Sequence, residues 1–230
     1  MSPSAGRPLE PSRGEIQSLP PVRWAVDLGA FQFLIVLPTT FAVAVVLLSA
    51  AVGVEHPSVN FGLVFTWVVW WSALLLSFVV FGRAWCLACP VGAVGEWLQR
   101  LSLWWRSPRT AGLDRAWPRR LRGMWLPTAL FVAFVFLDNG YGMSNSPRMT
   151  AGLVVVLTLA AAWTGLIFER RAFCRYLCPI TAFIGVNALA SAFELRRRDP
   201  ITCGAGCPTK DCYRGNERRY GCPMSEFPGG

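Results

Sequence analysis

The sequence predicts an all-α, polytopic membrane protein with four transmembrane helices built as a duplicated two-span unit. Three observations predict it: long runs without any charge, arginines confined to the segments outside those runs, and a cysteine motif that follows a pair of runs twice. The composition agrees, since 53% of the residues are hydrophobic and only 15% are charged.

Phe31–Val54, Phe61–Gly82 and Met149–Phe168 carry no charged residue. Each is long enough to cross a hydrocarbon core, which takes roughly 20 apolar residues. Gly123–Leu137 is shorter, but Asp138 is the only charge between Arg122 and Arg148, so a further span is expected to end near Asp138 or Tyr141. Pro38 lies inside the first span, where it removes a backbone donor and should kink the helix. Trp67, Trp70 and Trp71 lie well inside the second and are expected to serve helix packing.

The net charge of +9 would suggest nucleic acid in a soluble chain. Its distribution argues otherwise. The loop at 53–60 has no basic residue and the loop before the last span has only Arg148, whereas the two tails and the middle loop hold all the others. Basic residues are retained on the cytoplasmic side, so the termini and the middle loop are expected there, in a prokaryotic inner membrane. Anionic lipid accounts for the arginine-rich loop from Arg106 to Arg122 without nucleic acid.

Residues 1–22 are rich in Pro, Ser and Gly and are expected to form a disordered tail, with no cleavable signal peptide. Residues 23–198 form the membrane domain, and residues 199–230 a Cys-rich cytoplasmic tail. Within the domain, RAWCLACP (Arg83–Pro90) and RAFCRYLCP (Arg171–Pro179) are near copies, each followed by similar residues, CPVGAV and CPITAF. Val91, Val94, Leu98, Leu101 and Trp105 recur at helical spacing with Glu96 and Arg100 on another face, which predicts an interfacial helix after the first motif. Pro179–Phe193 is too short to cross and predicts a second interfacial or re-entrant one.

All eight cysteines fall on the reducing side of this topology, so metal binding or redox work is favoured over a disulfide framework. Cys86 and Cys89 are three residues apart, Cys174 and Cys178 four. On a helix either spacing puts both sulfurs on one face. Two such pairs facing each other would complete a four-thiolate site. Soft thiolates suit iron–sulfur clusters, zinc or Cu(I), and proline after the last cysteine is the punctuation of bacterial ferredoxin runs. Arg83, Arg171 and Arg175 flank the pairs and would favour thiolates. Cys203, Cys207, Cys212 and Cys222 could make a second, weaker set. A structural zinc or copper-handling site and thiol–disulfide chemistry stay open on these residues.

RAFCRYLCPITAFIGVNAL preceded by IFERR resembles the polyferredoxin-type membrane 4Fe–4S binding proteins with paired C-x3-C-P motifs. That group includes the membrane electron-transfer components of nitrate and nitrous-oxide reduction and relatives of the cytochrome oxidase assembly ferredoxin. GRAWCLACPVGAVGEWLQRL and KDCYRGNERRYGCPMSEFPGG extend the resemblance over roughly residues 60–230. It implies 4Fe–4S clusters and electron transfer at the cytoplasmic face, with a lipid bilayer and redox proteins as partners. The first copy departs from the pattern as C-x2-C-P. Such proteins continue into ferredoxin runs with the full four-cysteine pattern, so the chain is expected to be a truncated fragment. His56, Glu55 and Asp138 are the outer-loop groups that could serve a quinol. Glu96 and Glu169 are expected to pair with nearby arginines, and no catalytic residue is expected.

Overall fold

The structure is a computed structural model and describes Pro20, Trp24 and residues 31–82, 85–104, 112–169 and 171–188. Among these residues the chain is helical, with one isolated bridge between Arg115 and Phe168. The elements in order are α1 (Phe31–Val52), α2 (Phe61–Phe81), α3 (Trp85–Ala88), α4 (Pro90–Trp104), α5 (Trp125–Tyr141), α6 (Pro147–Ile167) and α7 (Ile180–Ala188). Leu34–Val52, α2 and α6 are long and apolar enough to cross a membrane. The tail and its cysteines Cys203, Cys207, Cys212 and Cys222 lie outside the described residues.

Local chemistry sets the helix ends. Asn60 caps α2: its Oδ1 accepts from the Leu63 N–H at 3.2 Å, while its Nδ2 donates to the carbonyls of Ser49 (3.1 Å) and Val54 (2.9 Å). One buried amide therefore starts α2 and closes the loop from α1. Ser146 caps α6, and Pro147 supplies the first helical residue, where its missing N–H costs nothing. The same end of the bundle is tied by Trp67, whose indole Nε1 donates to Thr150 Oγ1 at 3.0 Å; Thr150 in turn donates to the Met143 carbonyl at 2.9 Å. Trp67 also stacks on Phe134, so the aromatic residues inside α2 do pack helices together.

At the other end the chain folds back on itself twice. After Gly82 it returns as α3, and the Thr39 hydroxyl of α1 donates to the Ala88 carbonyl at 2.6 Å. Cys86 and Trp85 pack against Leu74 and Phe78 of α2 and Ile184 of α7. α4 then runs along α6. A Cβ on Gly95 would stand 2.6 Å from the Ala161 carbonyl, and one on Gly165 2.8 Å from the Gly95 Cα, so only glycine permits this approach. Further along, Gln99 Nε2 donates to the Phe168 carbonyl at 2.9 Å.

This corrects the interfacial reading of α4. Its packed face is Gly92, Ala93, Gly95, Glu96 and Gln99, whereas Val91, Val94 and Leu98 stay half-buried. Backbone contact between small residues outweighs the valine and leucine stripe. The second post-cysteine helix, α7, likewise packs inward, with Phe183 against Phe78 and Phe131.

The arginine-rich middle segment also has a structural part. The Leu113 and Arg115 amides donate to the Leu166 and Ile167 carbonyls, and Glu169 N–H returns a bond to Arg115. Trp117, nearly fully buried, stacks on Tyr176 at 5.4 Å and meets Phe168 edge-on at 4.7 Å. The segment thus covers the end of α6 and the start of the second cysteine motif.

Candidate iron–sulfur centre

Both cysteine motifs break a helix at the second cysteine; the next helix starts at Pro90 in the first copy and at Ile180, just after Pro179, in the second. Cys89 lies between α3 and α4. Cys178 follows a π-helical turn, Phe173–Leu177, and has an extended backbone (ψ 119°). The expectation of two sulfurs on one continuous helical face is therefore corrected. A residue before proline is disfavoured in the α region, so the second cysteine of each pair becomes the residue that leads into the next helix. The i→i+5 bond from Cys178 N–H to the Phe173 carbonyl, 2.8 Å, accommodates the extra residue of the second spacing. π-turns of this kind are frequent at functional sites.

This geometry aims helix N-termini at the sulfurs. The Ile180 amide and Thr181 oppose the rise in the Cys178 thiol's pKa, and the Thr181 amide donates to the Cys178 carbonyl at 3.0 Å. Helix N-termini and N–H donors favour negative charge, here a thiolate.

The four thiols Cys86, Cys89, Cys174 and Cys178 are half-buried and reduced. They converge. Burial pushes the Cys174 thiol well above its ordinary pKa; Arg171 opposes this, and Cys89, Cys178 and Cys86 all lie near enough to add to the rise. Cys178 is pushed up to about 11, first by burial and then by Cys89. Both shifts favour the neutral thiol at Cys174 and Cys178, so a metal loaded there must displace protons.

Arg171 is the hub of the site. It sits between α6 and the second motif with a left-handed backbone (φ 54°), a conformation costing on the order of 1–3 kcal/mol for a non-glycine residue. Its Nε donates to Glu96 Oε2 at 2.9 Å and its Nη1 to the Cys86 carbonyl at 3.2 Å. Both charged side chains are 1% exposed. Burial would lower the guanidinium pKa, but Glu96, Cys174 and Cys86 more than offset it, so the charge persists. A residue of the second half thus holds a carboxylate and a motif carbonyl of the first.

Gly92 is a second cross-half contact. A Cβ there would lie 2.8 Å from Cys174 Sγ. Its counterpart in the second copy is Thr181, which donates to the Cys174 carbonyl. The copies CPVGAV and CPITAF place both residues at the same offset, so the correspondence is visible in the sequence.

The donor set fits a four-thiolate cluster: four soft ligands from two segments, a buried cation and helix N-termini beside them. Among the described residues no three His, Cys, Asp or Glu side chains stand together as a single-ion site. Residues 63–109 and 150–195 each match the family model of a 4Fe–4S binding domain, so each match contains one of the two cysteine pairs. The chain is a polyferredoxin-type 4Fe–4S protein.

One of the relatives the chain matches carries a ferredoxin-type name and another an electron-transport name. This polyferredoxin-type protein is 30% identical over 148 residues to the methylamine utilization ferredoxin-type protein MauN of Methylorubrum extorquens, covering 58% of this chain and 50% of MauN. It is 32% identical over 158 residues to protein NirI of Paracoccus denitrificans (60% of this chain, 22% of NirI) and 29% identical over 170 residues to the putative electron transport protein YccM of Escherichia coli (60% and 45%). The chain spans half or less of the length of these relatives. No solved structure matches it.

The outer-loop groups do not form one site. Glu55 pairs with Arg148, His56 Nδ1 with the Ser58 hydroxyl at 2.9 Å, and Asp138 Oδ1 accepts from the Ser144 amide at 2.7 Å. Each has its own local partner.

Proposed function

We propose that this protein relays electrons through a 4Fe–4S cluster held by Cys86, Cys89, Cys174 and Cys178, at the cytoplasmic end of a four-span domain. What supports the reading is that each matched half supplies one cysteine pair and that the halves meet there: Arg171 bonds the Cys86 carbonyl and Gly92 faces Cys174 Sγ. The cluster would supply one-electron redox chemistry. The chain's own residues do the rest: cysteines ligate, α7 and α4 direct their N-termini at the sulfurs, and Arg171 offsets negative charge next to Cys86 and Cys174. Burial and nearby charge are the protein's means of setting potential.

α5 is the proposed remaining span. Trp125–Tyr141 rises about 25 Å at 1.5 Å per residue, close to a hydrocarbon core of roughly 30 Å. Two helices then precede each cysteine motif, which supports a duplicated two-span unit with cytoplasmic termini and middle loop. Cys203, Cys207, Cys212 and Cys222 are proposed as a secondary ligand set in the cytoplasmic tail. Donor and acceptor are redox proteins; a quinol would need His56, Glu55 and Asp138 to converge.

The runner-up is zinc or copper handling by the same thiols. A single tetrahedral zinc with Zn–S bonds near 2.3 Å needs sulfurs about 3.8 Å apart, a closer gathering than a four-iron cluster demands. Anaerobic purification followed by iron and acid-labile sulfide analysis decides between them. Iron and sulfide in equal amounts, with an EPR signal on reduction that Cys174→Ser removes, support the cluster. Stoichiometric zinc with iron near zero would overturn it.

A further inference from the structure

The segment at 112–122 is folded against the second cysteine motif. Its Leu113 and Arg115 amides donate to the Leu166 and Ile167 carbonyls at 2.8 and 3.0 Å, next to the bridge between Arg115 and Phe168. Trp117 packs in one buried cluster with Ala172 and Tyr176. Tyr176 lies between Cys174 and Cys178 in the chain, two residues from each.

Past Trp117 the chain makes a single 3-10 turn, Arg119–Leu121. The Leu121 amide donates to the Pro118 carbonyl at 3.0 Å. The Trp117 indole Nε1 donates to the Leu121 carbonyl at 3.1 Å, and Arg122 Nε donates to the Trp117 carbonyl at 3.0 Å. One buried indole therefore ties this turn to the cysteine motif and fixes its shape.

The turn displays cations. Residues 112–122 hold Arg115, Arg119, Arg120 and Arg122 against a single acid, Asp114, and all five are exposed. No carboxylate among the described residues pairs with Arg115, Arg119 or Arg120. Leu113 and Leu121 are exposed among them, and Arg175 lies over the Tyr176 ring at 5.1 Å. Guanidinium groups bind carboxylates bidentately, and arginine is enriched in protein–protein interfaces. Anionic lipid asks for less: basic residues near the headgroups suffice in any conformation. A turn held by its own hydrogen bonds and by a buried indole, against the motif that carries Cys174 and Cys178, is a shaped surface that a protein partner can read.

We infer that this surface docks an acidic one-electron carrier protein, an iron–sulfur or flavin protein whose carboxylates meet Arg115, Arg119 and Arg120. The use of the docking rests on the proposed cluster; the surface itself does not. In each encounter one electron passes between the carrier's redox group and the cluster, one being oxidised and the other reduced. No bond forms and no proton moves.

Two readouts test it, and the first needs no cluster. The probe is an acidic plant-type ferredoxin, and the full chain is held in neutral detergent. Ferredoxin should bind the wild type and be released by salt, since exposed charges are screened. Arg119→Ala/Arg120→Ala should weaken binding about tenfold. Arg148→Ala, which removes the exposed arginine that pairs with Glu55, should not. Binding should persist when the chain is moved into nanodiscs containing phosphatidylglycerol. No binding in detergent, or equal binding by wild type and double variant, overturns the surface. Binding that is lost in the nanodiscs assigns these arginines to lipid and overturns it too.

The second readout uses cluster-loaded protein. Wild type and ferredoxin should exchange one electron per cluster, in whichever direction their potentials favour, and the double variant should do so about tenfold more slowly. Dithionite, a small reductant that needs no docking, should reduce both at the same rate with the same EPR signal. Equal rates with ferredoxin overturn the docking role and leave the cluster reading standing. Absence of iron and sulfide in the wild type overturns the cluster reading, while the binding assay still decides the surface.

Discussion

Arg171 Nε donates to Glu96 Oε2 at 2.9 Å in an ion pair that joins the two halves of the molecule with both side chains 1% exposed. Removing one partner of a buried pair strands the other charge, which costs about 3–5 kcal/mol, whereas replacing both by apolar groups is often neutral. Glu96→Gln should therefore lower the thermal unfolding midpoint in detergent sharply, and the double variant Glu96→Leu/Arg171→Met should recover most of it. A Glu96→Gln protein as stable as wild type would show that the pair is not closed.

The backbone contact between α4 and α6 gives a second prediction. Gly95→Ala puts a methyl 2.6 Å from the Ala161 carbonyl, where the obstacle is main chain and cannot rotate away. The helices must separate, at a cost of about 1–3 kcal/mol typical of overpacking. Gly152→Ala, with nothing within 4 Å, is the matched control and should leave the unfolding midpoint unchanged or slightly raised.

Three of the spans and the paired cysteines were legible because each depends on a local pattern: a charge-free run, or thiols at fixed spacing before proline. Glu96 was legible as an arginine's partner, but not as Arg171's, since the two are far apart in sequence. The packed face of α4 was not legible. Its glycines and alanine score weakly beside valine and leucine, yet close backbone approach is what decides the contact. Trp117 was missed for a related reason: its basic neighbours mark the segment for lipid, while the indole docks on Tyr176 and Phe168. The return of the chain as α3 was hidden because a four-residue helix has no periodicity to read.

At the opposite end, Thr150 is fully buried and bonded on both sides, to Trp67 Nε1 and to the Met143 carbonyl. Thr150→Val keeps the shape and leaves both partners unsatisfied, each costing about 1–3 kcal/mol. The unfolding midpoint should fall, and the fluorescence of Trp67 should shift as its N–H loses its partner. Thr150→Ser keeps the hydroxyl and should stay near wild type in both measurements.

Gly92 separates the assembly of the site from the stability of the fold. A methyl at Gly92 meets Cys174 Sγ at 2.8 Å and no other atom within 4 Å. That sulfur is the end of a short side chain and can turn aside, so Gly92→Ala should unfold at nearly the wild-type temperature. Turning aside moves a proposed ligand out of place, and ligand geometry must hold to within about 0.5 Å for a metal site to assemble properly. Iron and sulfide content should therefore drop, or the EPR spectrum change, while the helical circular dichroism does not. In the second copy the same offset holds Thr181, whose hydroxyl bonds the Cys174 carbonyl. Thr181→Val should likewise perturb the spectrum more than the unfolding midpoint. If Gly92→Ala loads a full complement of iron with an unaltered spectrum, Cys174 is not a ligand, and the site must be drawn without it.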